Sequence, residues 1–121
     1  MLIKCIAIDF DDTYTSDTRL WHYIILTLQS AEITVICATA RSWSEANERD
    51  MLVELPNKVK VVFCGNQYKR DATLAAGYDV QIWIDDTPEA IVNMRPGILW
   101  LIRLKSLLHS TKDAIKRYYN A

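Results

Sequence analysis

Glycine and proline are scarce, three of each in 121 residues, and histidine is scarcer, at two. So few chain breakers fit one ordinary globular domain, and no internal repeat, low-complexity tract or linker is found. No glycine-rich turn follows any apolar run, which disfavours the phosphate loops of dinucleotide-binding and P-loop enzymes. The three cysteines, Cys5, Cys37 and Cys64, are odd in number, lie far apart and form no C-x-x-C pair. Neither a disulfide framework nor a zinc cage is indicated. His22 and His109 stand alone and are expected in surface or packing positions, which excludes a histidine-rich metal site. No apolar run approaches the roughly 18 residues that a membrane span needs. The first apolar stretch, Met1 to Ile8, is interrupted by Lys4 and runs into Asp9, without the features of a signal peptide. An excess of charge is also missing, since 14 basic against 15 acidic residues leave −1. Bulk positive charge therefore cannot drive wholesale nucleic-acid binding, and a reducing cytoplasm is the expected setting.

What is present is a half-hydrophobic, 24% charged chain, enough for one domain spanning residues 1–121. Val- and Ile-rich runs recur at Leu2 to Ile8, Ile33 to Ala38, Val59 to Cys64, Val80 to Ile84 and Ile98 to Ile102. Because they lack strict alternation, they read as strands buried on both faces of a parallel sheet. After Ser16, Trp21, Ile24, Ile25 and Leu28 fall at i, i+3, i+4, i+7 and predict a helix. Ser42 with Glu45 resembles a capping box opening a second helix. Asn66 is positioned to cap a third that Gly77 would end. Thr87 before Pro88 predicts a fourth, short helix reaching about Arg95, and Leu107 to Tyr119 reads as a last one. The expected fold is α/β: a doubly wound, Rossmann-like, mostly parallel five-stranded sheet with helices on both faces. Ligands of such sheets bind at the carboxyl ends of the strands, near the switch in strand order.

Those ends carry the unusual chemistry. The first run closes on Asp9-Phe10-Asp11-Asp12-Thr13, where crowded carboxylates repel unless a cation or a chemical task offsets them. The bland reading is a solvated acidic loop. In extended backbone Asp9 and Asp11 would project to the same side. Thr39 ends the second run; its hydroxyl can donate to an anionic oxygen or satisfy a local turn. Arg41 can pair with phosphate or with Glu45. Asp85 and Asp86 end the fourth run, and two adjacent acids exceed what helix capping requires. Hard carboxylate oxygens from neighbouring strands suit Mg²⁺. Lys69, in the first turn of the helix before that strand, can neutralise an acid pair, hold a phosphoryl oxygen or remain solvated.

The order Asp9-x-Asp11-x-Thr13, Thr39, Lys69, Asp85-Asp86 resembles the four-motif signature of the haloacid dehalogenase-like (HAD) phosphatase superfamily over about residues 1–104. The resemblance implies a Mg²⁺-dependent phosphohydrolase that cleaves a phosphomonoester through an aspartyl-phosphate. Asp9 would be the nucleophile and Asp11 the general acid and base, with Thr39 and Lys69 holding the phosphoryl oxygens. Mg²⁺ would be bound by the Asp9 carboxylate, the Asp11 backbone carbonyl and Asp85, with Asp86 supporting or acting through water. Asp12 stands where many relatives have glycine, and Lys69 has no following proline.

The stretches between Thr13 and Thr39 and between Arg41 and Lys69 leave no room for the cap domain of many relatives. An uncovered site suits a large phosphorylated substrate, such as a protein, a nucleic-acid end or a glycan, or a site covered by a neighbouring subunit. No membrane partner is expected. The basic residues after Ile102 read as a solvated helix face more readily than as a binding surface, and Trp43, Trp83 and Trp100 as packing residues. Two other classes compete: a degenerate HAD-like binding module without turnover, and a receiver-type signalling domain. The receiver reading requires an acid at the end of the third strand, where the chain has Phe63-Cys64-Gly65-Asn66.

Overall fold

The computed structural model describes residues 2–93. Within them the chain runs β1 (Cys5–Ile8), a short 3₁₀ turn (Tyr14–Ser16), α1 (Thr18–Ser30), β2 (Thr34–Thr39), α2 (Glu45–Glu54), β3 (Lys60–Phe63), α3 (Lys69–Ala75), β4 (Ile82–Ile84) and a second 3₁₀ turn (Pro88–Ala90). The four strands form one parallel sheet in the order β3-β2-β1-β4. Strand order reverses at β1, which makes the sheet doubly wound. The segments expected to form a fifth strand and a tail helix, with the basic residues after Ile102, lie outside the described residues, as do His109 and Trp100. No described segment forms a separate cap: α1 alone joins β1 to β2 beyond the 3₁₀ turn, and α2 alone joins β2 to β3.

Alternation along each strand divides the apolar interior in two. On one face Ile8, Val35, Cys37, Val61, Phe63 and Ile84 meet Trp21 and Ile25 of α1, Met51 of α2 and Leu55 at the end of α2. The predicted stripe of α1 is the one that packs, and burying each such large side chain stabilises the fold by about 1.5–3 kcal/mol. On the other face Cys5, Ala7, Ile36, Ala38, Val62 and Cys64 meet Ala72 of α3, with Trp83 packed against them. This second layer is built largely of small residues. All three cysteines are free and buried.

Several boundaries differ from expectation for local reasons. Ser44, not Ser42, caps α2, its hydroxyl accepting from Asn47 N–H at 3.0 Å. Ser42 instead gives its carbonyl to the Asn47 side chain. Asn66 does not cap α3, whose N-cap position is Tyr68 without a side-chain bond. The helix after Thr87 is a three-residue 3₁₀ turn over Pro88–Ala90, and Thr87 makes no side-chain cap bond; Arg95 lies outside the described residues. β1 begins at Cys5, not Leu2, since its pairing to β2 starts there. Trp43 is not a packing residue: it is 62% exposed, its indole N–H donating to Glu48 Oε2 at 2.8 Å.

Helices α1 and α3 end in the same motif, with the chain passing through the left-handed region one residue beyond the cap. After α3, Gly77 (φ +94°) donates to the Leu74 carbonyl at 3.0 Å and Tyr78 to that of Thr73 at 2.9 Å. After α1, Glu32 (φ +63°) takes the same place, donating to Gln29 while Ile33 donates to Leu28. Only glycine adopts this conformation without cost. Gly77→Ala should lower unfolding free energy by about 1 kcal/mol, whereas Glu32→Gly should raise it by about 0.5 kcal/mol. Denaturant titration of the two variants checks both signs.

Candidate metal and catalytic centre

Register builds the centre. Ile8 is level with Ile84 and with Cys37, so Asp9 and Asp85 leave neighbouring strands at the same height. The ladder continues one bond further, from Asp9 N–H to the Ile84 carbonyl at 2.9 Å. Lys69, the first residue of α3, comes up beside them. Its ammonium donates to Asp9 Oδ1 at 2.7 Å and Asp85 Oδ2 at 2.6 Å, and the whole residue is only 2% exposed. The lysine thus neutralises an acid pair and is not solvated. Asp85 Oδ1 accepts from Thr87 N–H at 2.9 Å. Asp86 completes a group of three acids, with Asp9 and Asp85, that offers ligand oxygens within 4.8 Å of one another.

Beyond Asp9 the backbone turns at once. Thr13 N–H and Thr15 N–H close on the Phe10 carbonyl, and Tyr14 N–H on that of Asp9. Phe10 and Tyr14 anchor the turn in the large-residue core, their rings stacked at 5.9 Å. Asp12 sits at φ +62°, which explains why glycine suits this place; aspartate is among the few other residues that tolerate it. Asp12 is exposed and is not one of the three clustered acids. The Thr13 hydroxyl shares its proton between Asp9 Oδ2 at 3.2 Å and Asp86 Oδ1 at 3.4 Å.

The turn also parts Asp9 from Asp11, which do not project together as extended backbone would require. Asp9 is buried with Lys69, while the Asp11 side chain is 51% exposed and forked by Arg41. Arg41 Nε donates to Asp11 Oδ2 at 2.8 Å and Nη2 to Oδ1 at 2.7 Å. Arg41 therefore pairs with Asp11 and not with Glu45. Thr39 is fully buried, and its oxygen accepts from Arg41 N–H at 3.1 Å, the local turn role, which leaves its own proton to donate. The Arg41–Asp11 bond spans 30 residues and has no spacing signal in the sequence. The role of Thr13 did have one, a hydroxyl four places after Asp9 on the same tight turn.

Burial pushes the Asp9 carboxyl from the ordinary 3.8 up to about 7, against the pull of Lys69 and with a further push from Asp85. Burial raises Asp85 too. For Lys69, burial works downward, but Asp9 and Asp85 together carry it above its usual value. Asp11 moves the opposite way, lowered chiefly by its hydrogen bonds from Arg41. The split leaves Asp9 the more basic and Asp11 the more acidic of the two carboxyls. A surface cleft of about 680 Å³ lies at the other edge of the sheet, lined by residues such as Lys4, Tyr78 and Gln81. It carries one acid, Asp79, and no acid cluster.

Asp9 takes up a proton more readily folded than unfolded, so its contribution to stability is complete below about pH 4 and is lost as pH rises through about 7. Lys69→Met strands two buried carboxylates and should cost about 3–5 kcal/mol at pH 8. At pH 5, where the acids can take up protons, the loss should be clearly smaller. Thermal melts of both proteins across that range test the sign, and an equal loss at both values would refute it.

No family model matches this chain, and no match is found among curated proteins or solved structures. No helix among the described residues is long and apolar enough to cross a membrane. The physical description is thus a small α/β domain whose strand order, 3-2-1-4, is typical of Rossmann-like and HAD-like folds, with a buried acidic cluster able to coordinate a metal ion.

Proposed function

We propose that this chain is a Mg²⁺-dependent phosphohydrolase that cleaves phosphomonoesters through an aspartyl-phosphate on Asp9. The observation that carries the reading is the buried ammonium of Lys69 between Asp9 and Asp85, with Asp86 alongside, at the carboxyl edge where strand order reverses. The donor set is hard oxygen only, which fits Mg²⁺. Asp9, Asp85 and Asp86 would hold it by their carboxylates and Asp11 by its backbone carbonyl. When bound, the ion offsets the charge of phosphate and carboxylate.

Asp9 bonds to phosphorus as the ester oxygen departs, and Asp11, having left Arg41 and taken up a proton from solvent, gives that oxygen its proton. In the second half Asp11 takes a proton from water, which attacks phosphorus and frees Asp9. Lys69 and the spare proton of Thr39 oppose the negative charge on the transferring oxygens. The absence of a cap among the described residues supports a substrate too large to be enclosed, such as a phosphorylated protein, nucleic-acid end or glycan. One observation favours a second reading, a HAD-like binding module without turnover: Asp11 is committed to Arg41.

A panel of phosphoesters, assayed with and without Mg²⁺, separates the two. Turnover should require Mg²⁺ and fall at least about a thousandfold in Asp9→Asn, which keeps the shape but removes the nucleophile. Equal turnover in both proteins would end the assignment. Mg²⁺-dependent binding of phosphoesters without hydrolysis would favour the binding module.

A further inference from the structure

We infer that Arg41 is a substrate-binding residue whose fork is occupied at rest by Asp11 and passes to the phosphoryl group when substrate enters. This rests on the phosphohydrolase reading. Arg41 presents Nε and Nη2 to two oxygens of one anion at 2.8 and 2.7 Å, a geometry that fits two oxygens of a phosphoryl group equally well. Of the two cations tied to this centre, Lys69 is buried between Asp9 and Asp85, whereas Arg41 is 31% exposed. Arg41 is the one an incoming anion can reach.

The two partners are held unequally. Without Asp11, Arg41 still has three supports: its guanidinium lies over the Phe10 ring at 5.3 Å, Nη1 donates to Asn47 Oδ1 at 3.3 Å, and its backbone N–H donates to Thr39 Oγ1 at 3.1 Å. The Asp11 carboxylate accepts hydrogen bonds only from Arg41 among the described residues. The guanidinium is thus pre-positioned, and the carboxylate is the group free to leave. An exposed ion pair is weakly held, and a phosphoryl dianion competes well for the fork. The exchange does two things at once: it gives the phosphoryl group a cation in a centre crowded with acids, and it releases Asp11 for the leaving oxygen. No covalent bond changes, since two hydrogen bonds move from one anion to another.

The test is a double-mutant cycle read by calorimetric binding of inorganic phosphate in the presence of Mg²⁺. The four proteins are the native chain, Asp11→Asn, Arg41→Met and the double variant, with Arg41→Gln as a substitute if the methionine variant fails to fold. Asp11→Asn removes the competitor and should tighten phosphate about tenfold. Arg41→Met should weaken it about tenfold or more. In the Arg41→Met background, Asp11→Asn should change affinity less than about twofold. A full gain in that background would show that Asp11 acts by repulsion alone and would overturn the exchange. So would unchanged affinity in Arg41→Met, while Asp9-dependent turnover would leave the phosphohydrolase reading standing. Phosphate binding by none of the four would overturn the exchange, and only the lack of Asp9-dependent turnover besides would overturn both.

Discussion

One ammonium holds the centre together. Two carboxylates brought side by side by strand register, and shut away from water, cannot both ionise without a counter-charge. Lys69 supplies it with two short bonds, and the rest of the architecture serves to keep that lysine in place. α3 begins at Lys69 itself, so the position of the helix start sets the reach of the charge. Buried charge triads of this kind are often replaceable by apolar side chains without loss of stability. Its presence is an argument for chemistry and not for stability.

Asp9 and Asp11 are separated by a single residue, yet they live under opposite electrostatic regimes. A stacked aromatic pair, Phe10 and Tyr14, turns the chain between them and leaves one acid in the interior and the other at the rim. Burial lifts the proton affinity of the first, while a guanidinium depresses that of the second. The difference between their surroundings follows from where the backbone bends, with Asp12 accepting an unfavourable φ at the apex.

Much of this was legible from residue order. The apolar runs located all four described strands, because a strand buried on both faces leaves an unbroken signature. The stripe Trp21, Ile24, Ile25, Leu28 identified the face of α1 that packs. Acids at two strand ends marked Asp9, Asp85 and Asp86 as neighbours, because parallel topology brings those ends together. What escaped depends on side-chain direction. Ser42 and Ser44 are equally good caps by composition, and only the path of the β2–α2 loop decides between them. Trp43 looks like core material until that same loop carries it to the surface. Arg41 had an acid four residues ahead in Glu45 and chose one 30 residues behind, a pairing that only the folded chain creates.

The layer of small residues beneath α3 has an implication for how this protein can vary. Cys5, Ala7, Ala38 and Ala72 set how closely the helix lies on the sheet, and Lys69 reaches its partners from the first residue of that helix. Layer thickness is therefore a mechanical tolerance on the chemistry. A methyl group added far below the acids would act as a shim, lifting the helix and lengthening bonds it never touches. Positions that look like interchangeable filler are spacers for the charge above them.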